Sequence, residues 1–359
     1  MTAQYASIKR EVDSAIQRVL DNASFILGNE VMEFERAFAS VSGTTGAVSV
    51  ASCSAALQLA LLALGVGRGD EVITTAHSFM ATAEAISNVG ARPVFVDIDP
   101  KTFNIDPQQV AEAVTARTRA ILPVHIYGQP ADMDSLRAIA QTHGLSLIED
   151  AAQAHGAQYN GRQCGSLGDV ACFSFFPSKN LGAYGDAGAV CSNDESLLAR
   201  VRALRDHGRT SKYEHRTIGF GERMDALQAA ILTAKLPHLE AWTEARRAHA
   251  RLYDGLLAGT GVVTPNEFQK ARHVYHLYVI RTPRRDAMLD HLRGKGIGCG
   301  VHYPIPLHRQ PAYLEQGYGG ITLPETERAA REVLSLPMYP ELTSEQIAHV
   351  ANAVREVAG

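Results

Sequence analysis

Between about Ala47 and Ser192, short apolar runs rich in β-branched residues alternate with segments whose apolar residues recur at helical spacing. The runs Glu71–Thr75, Pro93–Asp97, Ala120–Ile126, Leu145–Glu149, Val170–Phe175 and Ala189–Ser192 predict strands. In most of them apolar residues stand at successive positions, as strands covered by helices on both faces require. Ser54–Leu64, Phe79–Asn88 and Met133–Thr142 predict helices, each stopped by a glycine: Gly65, Gly90 and Gly144. Such alternation predicts an α/β domain with a largely parallel sheet. From Leu227 to about Leu257 the pattern is helical and charged, which predicts a connecting helix. Beyond it, His276–Arg281 and Gly298–Tyr303 read as strands, and Arg285–Lys295, Glu325–Leu334 and Ser344–Val357 as helices. The expected organisation is a large domain over 1–240, including an N-terminal helix, and a small α+β domain over 241–359.

Composition narrows the function classes. With 46% apolar and 20% charged residues over 359 positions, the chain is neither disordered, collagenous nor a coiled coil. A net charge of −4 gives no field to recruit nucleic acid or an anionic membrane, although local anion sites stay open. Five cysteines without a C-x-x-C pair suit free thiols in a reducing cytoplasm better than a disulfide frame or a metal site. The segment Met1–Leu20 is charged and lacks a signal-type apolar stretch, and the longest apolar run, Leu57–Val66, is too short to span a bilayer. A soluble cytoplasmic protein is the expectation.

The most informative stretch is Ser174-Phe-Phe-Pro-Ser-Lys179-Asn-Leu-Gly-Ala-Tyr-Gly-Asp-Ala-Gly-Ala189. Its lysine follows a buried strand and precedes Gly182, Gly185 and Gly188, which let backbone approach a ligand closely. A lysine desolvated in such a setting has a lowered pKa and an amine ready to form a Schiff base. A lone lysine in a turn is ordinarily a surface residue, so the neighbours decide. Asp150 ends an apolar strand at the edge where open α/β sheets place ligands; it can hold the protonated ring nitrogen of pyridoxal phosphate (PLP), or simply cap a helix. Ser52-Cys-Ser54-Ala55 leads into a helix whose N-terminus could take a phosphate, and Ser174 could add a hydroxyl. Phe79 could stack on a ring.

Together, Ser54-Ala55, Phe79, Asp150-Ala-Ala-Gln153, Ser174 and the run around Lys179 resemble the DegT/DnrJ/StrS-type sugar aminotransferases, from about Ile26 to Pro340. The resemblance implies the fold-type-I aminotransferase architecture, with a PLP-binding large domain and a homodimer whose active sites are shared. It makes Lys179 the Schiff-base lysine, Asp150 the partner of the ring nitrogen and Gln153 that of the phenolic oxygen. Ser54, Ala55 and Ser174 would hold the phosphate, and Phe79 would stack. The family's cross-subunit asparagine falls on Gly221 of Gly219-Phe-Gly-Glu-Arg223-Met-Asp225, a departure that Arg223 or backbone N–H groups would have to fill.

The implied reaction moves an amino group from glutamate to a nucleotide-linked keto sugar, with the third ring carbon of a TDP- or UDP-linked sugar favoured over the fourth. Lys212, Tyr213, His215, Arg223, His302, Tyr303 and His308 would face that substrate; for His302 and His308, structural hydrogen bonding is an equal reading. Cyclitol amination and a non-catalytic regulator are the competitors, the latter disfavoured because a binder needs no electron sink. A nicotinamide enzyme is excluded, since Gly65-Val-Gly67-Arg-Gly69 has the wrong spacing and follows a helix.

Overall fold

The computed structural model describes residues 2–358; Met1 and Gly359, the outer limits of the expected domains, lie outside the described residues. Two helices, α1 (Thr2–Asn22) and α2 (Asn29–Ser42), precede β1 (Gly46–Val50), α3 (Cys53–Ala63), β2 (Glu71–Thr75), α4 (Met80–Asn88) and β3 (Arg92–Val96). Then come α5 (Pro107–Ala113), β4 (Thr118–Leu122), α6 (Met133–His143), β5 (Ser146–Asp150), β6 (Val170–Ser174), β7 (Gly188–Ser192) and α7 (Glu195–Arg205). The seven strands form one sheet in the order β1-β7-β6-β5-β4-β2-β3. Only β7 runs against the rest, pairing antiparallel with both β1 and β6.

Neighbouring residues of one strand serve opposite cores. Leu147 and Phe173 pack with Phe34, Phe38 and Leu232 on one face, while Ile148 and Cys172 pack with Val50, Leu57 and Leu61 on the other. This double burial is why these strands read as continuous apolar runs. Helix α5 escaped the periodicity because it is short, but Asp106 caps it through Gln108 N–H at 2.9 Å and Pro107 opens it.

Past the sheet, the expected connecting helix is two helices, α8 (Ala226–Lys235) and α9 (Leu239–Leu257), joined by a 3₁₀ turn over Leu236–His238. Pro237 cannot donate the bond that would carry the first helix on. The C-terminal part holds β8 (Tyr278–Arg281), α10 (Arg285–Gly294), α11 (Pro311–Leu314), α12 (Pro324–Glu332), β9 (Val333–Leu336) and α13 (Ser344–Ala358). Two expectations fail here. Gly298–Tyr303 is no strand: its one backbone bridge to β9 joins Gly300 to Ser335, and with two glycines before and Pro304 after, it turns off as an irregular wall. Leu334 does not end a helix but lies in β9, paired with Ile280 of β8. Ala250, Tyr253 and Leu257 of α9 join the C-terminal core, whereas Leu239 at its start belongs to the large one.

Candidate active site

At the carboxyl edge of the sheet lies a cavity of about 500 Å³. Lys179, Asp150, Gln153, Ser54, Ser174, Phe79, His302 and Tyr303 all line it, so most of the expected residues, from distant parts of the sequence, do converge. Ser52, Cys53, Thr82, Asp186 and His276 line it as well. Ser52 was legible as part of the same serine-rich turn, but His276 carries no local signal and arrives through the tertiary fold.

The turn bearing Lys179 is pinned on every side. Lys179 N–H bonds Phe176 C=O at 2.8 Å, and Ala183 N–H bonds Phe175 C=O at 2.7 Å. Asn180 donates to Val274 C=O at 3.1 Å and meets His276 Nδ1 at 3.2 Å. The buried Lys235, with Tyr184 and Trp242 rings 4.9 and 5.9 Å from its Nζ, donates to Gly182 C=O. Gly182 has no alternative, since a Cβ there would stand 2.3 Å from Pro177 C=O. Burial of its amine pulls Lys179 below the ordinary lysine pKa, opposed by the nearby Cys53 and Asp150.

Asp150 closes β5 and is buried. Thr82 hydroxyl donates to its Oδ2 at 2.7 Å and Ala152 N–H to its Oδ1 at 3.2 Å. Burial raises its pKa, against the pull of these donors and of Lys179 and His125. Its neighbour Glu149 points the other way, and its carboxylate is filled by N–H donors: Gly165 at 2.9 Å, Leu167 at 2.8 Å, Gly168 at 2.6 Å and His125 Nε2 at 2.9 Å. Glu149, His125 and Cys164 cluster closely enough to suggest a metal, but this saturated carboxylate already ties β5 to its surroundings.

At the opposite end stands the N-terminus of α3. Its cap is Ser52, whose Oγ accepts Ala55 N–H at 3.1 Å. This corrects the expectation for Ala55: its N–H is committed, and it does not line the cavity. The N–H groups of Cys53 and Ser54, which have no intrahelical acceptor, are left for an anion, with Ser54 and Ser174 hydroxyls beside them. β7 must run hard against this turn, because a Cβ on Gly188 would lie 2.4 Å from Ser52 carbonyl carbon. Gly188→Ala should cost about 1–3 kcal/mol of stability, seen as a lower denaturant midpoint, because the contact is backbone and cannot yield.

Several expected substrate residues lie elsewhere. Lys212, Tyr213 and His215 stand exposed on the loop after α7, Tyr213 being 83% exposed with Lys212 Nζ 5.3 Å from its ring centroid. Arg223 bonds Asp206 at 3.0 Å, and His207 ring fills the space beside Gly221, 3.2 Å from where a Cβ would stand. His308 is a correction: fully buried, it faces Glu327 Oε1 at 3.1 Å and has no access to the cavity. The structural alternative holds for that histidine. His302 and Tyr303 do form a cavity wall, His302 anchored by Ser335 Oγ at 2.8 Å.

Buried imidazoles should make the protein acid-sensitive. Burial lowers His77 from 6.5 to about 4, and His155 and His273 to about 3. The unfolded chain therefore binds these protons first as pH falls below 6.5, so stability is full above that value and lost on acidification. Each imidazole should remove about 1.4 kcal/mol per pH unit in that window, measurable as a falling urea midpoint from pH 6.5 to 4.

A mostly parallel sheet of this order, carrying such a cavity at its carboxyl edge, is the type-I fold of PLP-dependent aminotransferases. The chain belongs to the DegT/DnrJ/EryC1/StrS aminotransferase family, a PLP-dependent one, whose model matches residues 6–355. It is 50% identical to a "pleiotropic regulatory protein" of Geobacillus stearothermophilus, over 99% of this chain and 96% of that one. It is 47% identical to a dTDP-3-amino-3,4,6-trideoxy-alpha-D-glucose transaminase of Streptomyces venezuelae, over 100% of this chain and 95% of that one. A UDP-N-acetyl-3-dehydro-alpha-D-glucosamine 3-aminotransferase of Acidithiobacillus ferrooxidans is 46% identical, over 99% and 96%. The crystal structure of S. venezuelae DesV in complex with a ketimine intermediate superposes with a TM-score of 0.97 at 47% identity, over 99% of this chain and 96% of that one. Among the described residues no helix is long and apolar enough to cross a membrane.

Proposed function

We propose that this chain transfers an amino group from glutamate to the ketone of a nucleotide-linked 3-keto sugar, with PLP held on Lys179. The observation that carries the reading is a desolvated lysine amine and a buried carboxylate, Asp150, lining one cavity. The residues fit the cofactor: Asp150 for the ring nitrogen, Gln153 for the phenolic oxygen and Phe79 against the ring. Ser54, Ser174 and the free N–H groups of α3 fit the phosphate. Bound there, PLP supplies the electron sink that makes loss of an α-proton feasible. Lys179, whose pKa burial lowers, would take the proton from the donor's α-carbon and later give one to the sugar carbon. Asp150, held by Thr82 through Oδ2, would present its carboxyl group to the ring nitrogen.

Two relatives, on different nucleotides, are named for the third ring carbon, which favours that position over the fourth and over a cyclitol ketone. TDP- and UDP-linked 3-keto sugars are therefore the substrates to try. The regulatory name of another relative favours a second reading, a PLP-binding regulator without turnover. Lys179 and Asp150 together argue against it. Protein loaded with PLP should be yellow, bleach with glutamate, and recover with a TDP- or UDP-3-keto sugar; failure to bleach would leave the regulator.

The same reading divides the chain near residue 240, along α9, where the packing passes from the large core to the C-terminal one. It also makes the enzyme a cytoplasmic homodimer, consistent with five free cysteines and with a loop that thrusts Tyr213 and Ile218, 91% exposed, outward. Lys212, Tyr213 and His215, which miss their own cavity, would then serve the partner's. Arg223 is tied to Asp206, so it reaches a partner's phosphate only by giving up that pair. Sedimentation of the PLP-loaded protein should give a dimer, and a monomer of full activity would sink the shared site.

A further inference from the structure

Tyr127 touches no part of the cavity surface, yet each of its polar groups bonds a segment that does. It is buried, sits at φ 60 in the 3₁₀ turn Ile126–Gly128 beyond β4, and packs edge-on against Phe103 with centroids 5.8 Å apart. Its N–H donates to Gln153 Oε1 at 2.6 Å. Its C=O accepts Leu277 N–H at 3.3 Å. Its hydroxyl donates to His302 C=O. That leaves the phenol oxygen to accept, so His77, 2.6 Å away through Nε2, must be the donor and carry its proton there. Burial, which holds His77 neutral with a pKa of about 4, is compatible with that single tautomer. The result is a directed chain, His77 Nε2–H to Tyr127 Oη–H to His302 C=O. It closes into a ring, because Gln153 Nε2 meets Tyr303 hydroxyl at 3.2 Å on the far side.

We propose that Tyr127 is a positioning residue. Its phenol sets the His302–Tyr303 wall against Gln153, so that the substrate side of the cavity keeps a fixed distance from the cofactor side. The proposal rests on the function proposed above. The two halves of Tyr127 serve different walls: the backbone N–H holds Gln153, and the hydroxyl holds His302. Replacing Tyr127 by phenylalanine removes the second and keeps the first. It also strands the His77 N–H without its partner, a cost to stability of its own. The double variant Tyr127→Phe/His77→Leu removes both polar partners and should regain that stability, while the wall stays unlatched.

The experiment loads wild type and both variants with PLP, then measures cofactor content, thermal midpoint, and the limiting rate and half-saturating glutamate concentration (KM) of the single round of bleaching that glutamate drives. We expect equal PLP content in all three and a KM about tenfold higher in both variants, the size of one lost hydrogen bond. The midpoint should fall in the single variant and recover in the double. Wild-type KM in Tyr127→Phe overturns the proposal. So does a KM that recovers along with the midpoint, which would make the role packing alone. Failure of the functional reading itself shows separately, as wild-type protein that neither holds PLP nor bleaches.

Discussion

Protein carrying alanine at Lys179 should have no measurable amino transfer and should bind PLP only loosely. The expectation follows from how much of the fold is devoted to that one side chain. Asn180 reaches across to Val274 and His276, Lys235 holds Gly182, and Gly182 tolerates no side chain. A turn fixed this firmly presents its lysine in one place, and the surrounding burial keeps the amine from holding a proton strongly. Lys235 is the control. It is also buried, with a pKa lowered to about 8 by desolvation, but its Nζ is spent on a carbonyl between two rings and does not line the cavity. Borohydride should therefore fix PLP to wild-type protein and to Lys235→Met, but not to Lys179→Ala. A Lys179→Ala protein that still retains PLP after borohydride would mean that another lysine carries the cofactor. Because Ala removes charge and length but disturbs none of the backbone bonds of the turn, the variant should keep its circular dichroism and most of its thermal stability.

What the sequence displayed and what it hid divide along the range of the interaction. The Lys179 turn was legible because its requirements are local: strand, proline, lysine, then glycines where backbone crowds. Asp150 was legible as a carboxylate ending an apolar run at the edge where such sheets place ligands, with helix capping as its other reading. The sheet followed from runs such as Val170–Phe175, which have no polar face to offer solvent. Residues that act through space left no such mark. Thr82 sits three positions into α4 as an ordinary helical threonine, and only the fold sets its hydroxyl on Asp150. Tyr127 and His276 are likewise silent. His308 misled for the converse reason: its residue type suggested a ligand, but Glu327 had already claimed it. Gly298–Tyr303 misled through composition, its valine and tyrosine suggesting a strand where prolines and glycines bend the chain into a wall.

Asp150→Asn should fold normally and lose amino transfer by about three powers of ten or more, since an amide cannot hold the ring nitrogen of PLP protonated. The structure makes this an unusually clean substitution. Thr82 now donates its proton to Asp150 Oδ2, so Ser78, 2.7 Å from Thr82 Oγ1, must donate to Thr82 in turn. With asparagine in place, the amide nitrogen becomes a donor and the chain simply reverses: the amide gives to Thr82, and Thr82 to Ser78. Asparagine Oδ1 still accepts Ala152 N–H, so no buried group is left unpaired. Alanine would be a poor substitute for the test, because it would leave a gap beside Thr82, take the acceptor from Ala152 N–H and confuse stability with chemistry. Burial raises the Asp150 pKa, so the asparagine variant should match or slightly exceed wild type in stability when assayed without PLP. A carboxyl whose folded pKa is raised binds its proton more tightly when folded, so its ionised form costs stability above that pKa, and the amide avoids the cost. PLP should still be fixed to Lys179 by borohydride. Three measurements then separate the roles: the urea midpoint, the borohydride-fixed PLP, and the turnover number with glutamate. An unchanged midpoint and full PLP with collapsed turnover assign Asp150 to the ring nitrogen. Turnover near that of wild type would reduce it to the residue that caps the turn at Ala152.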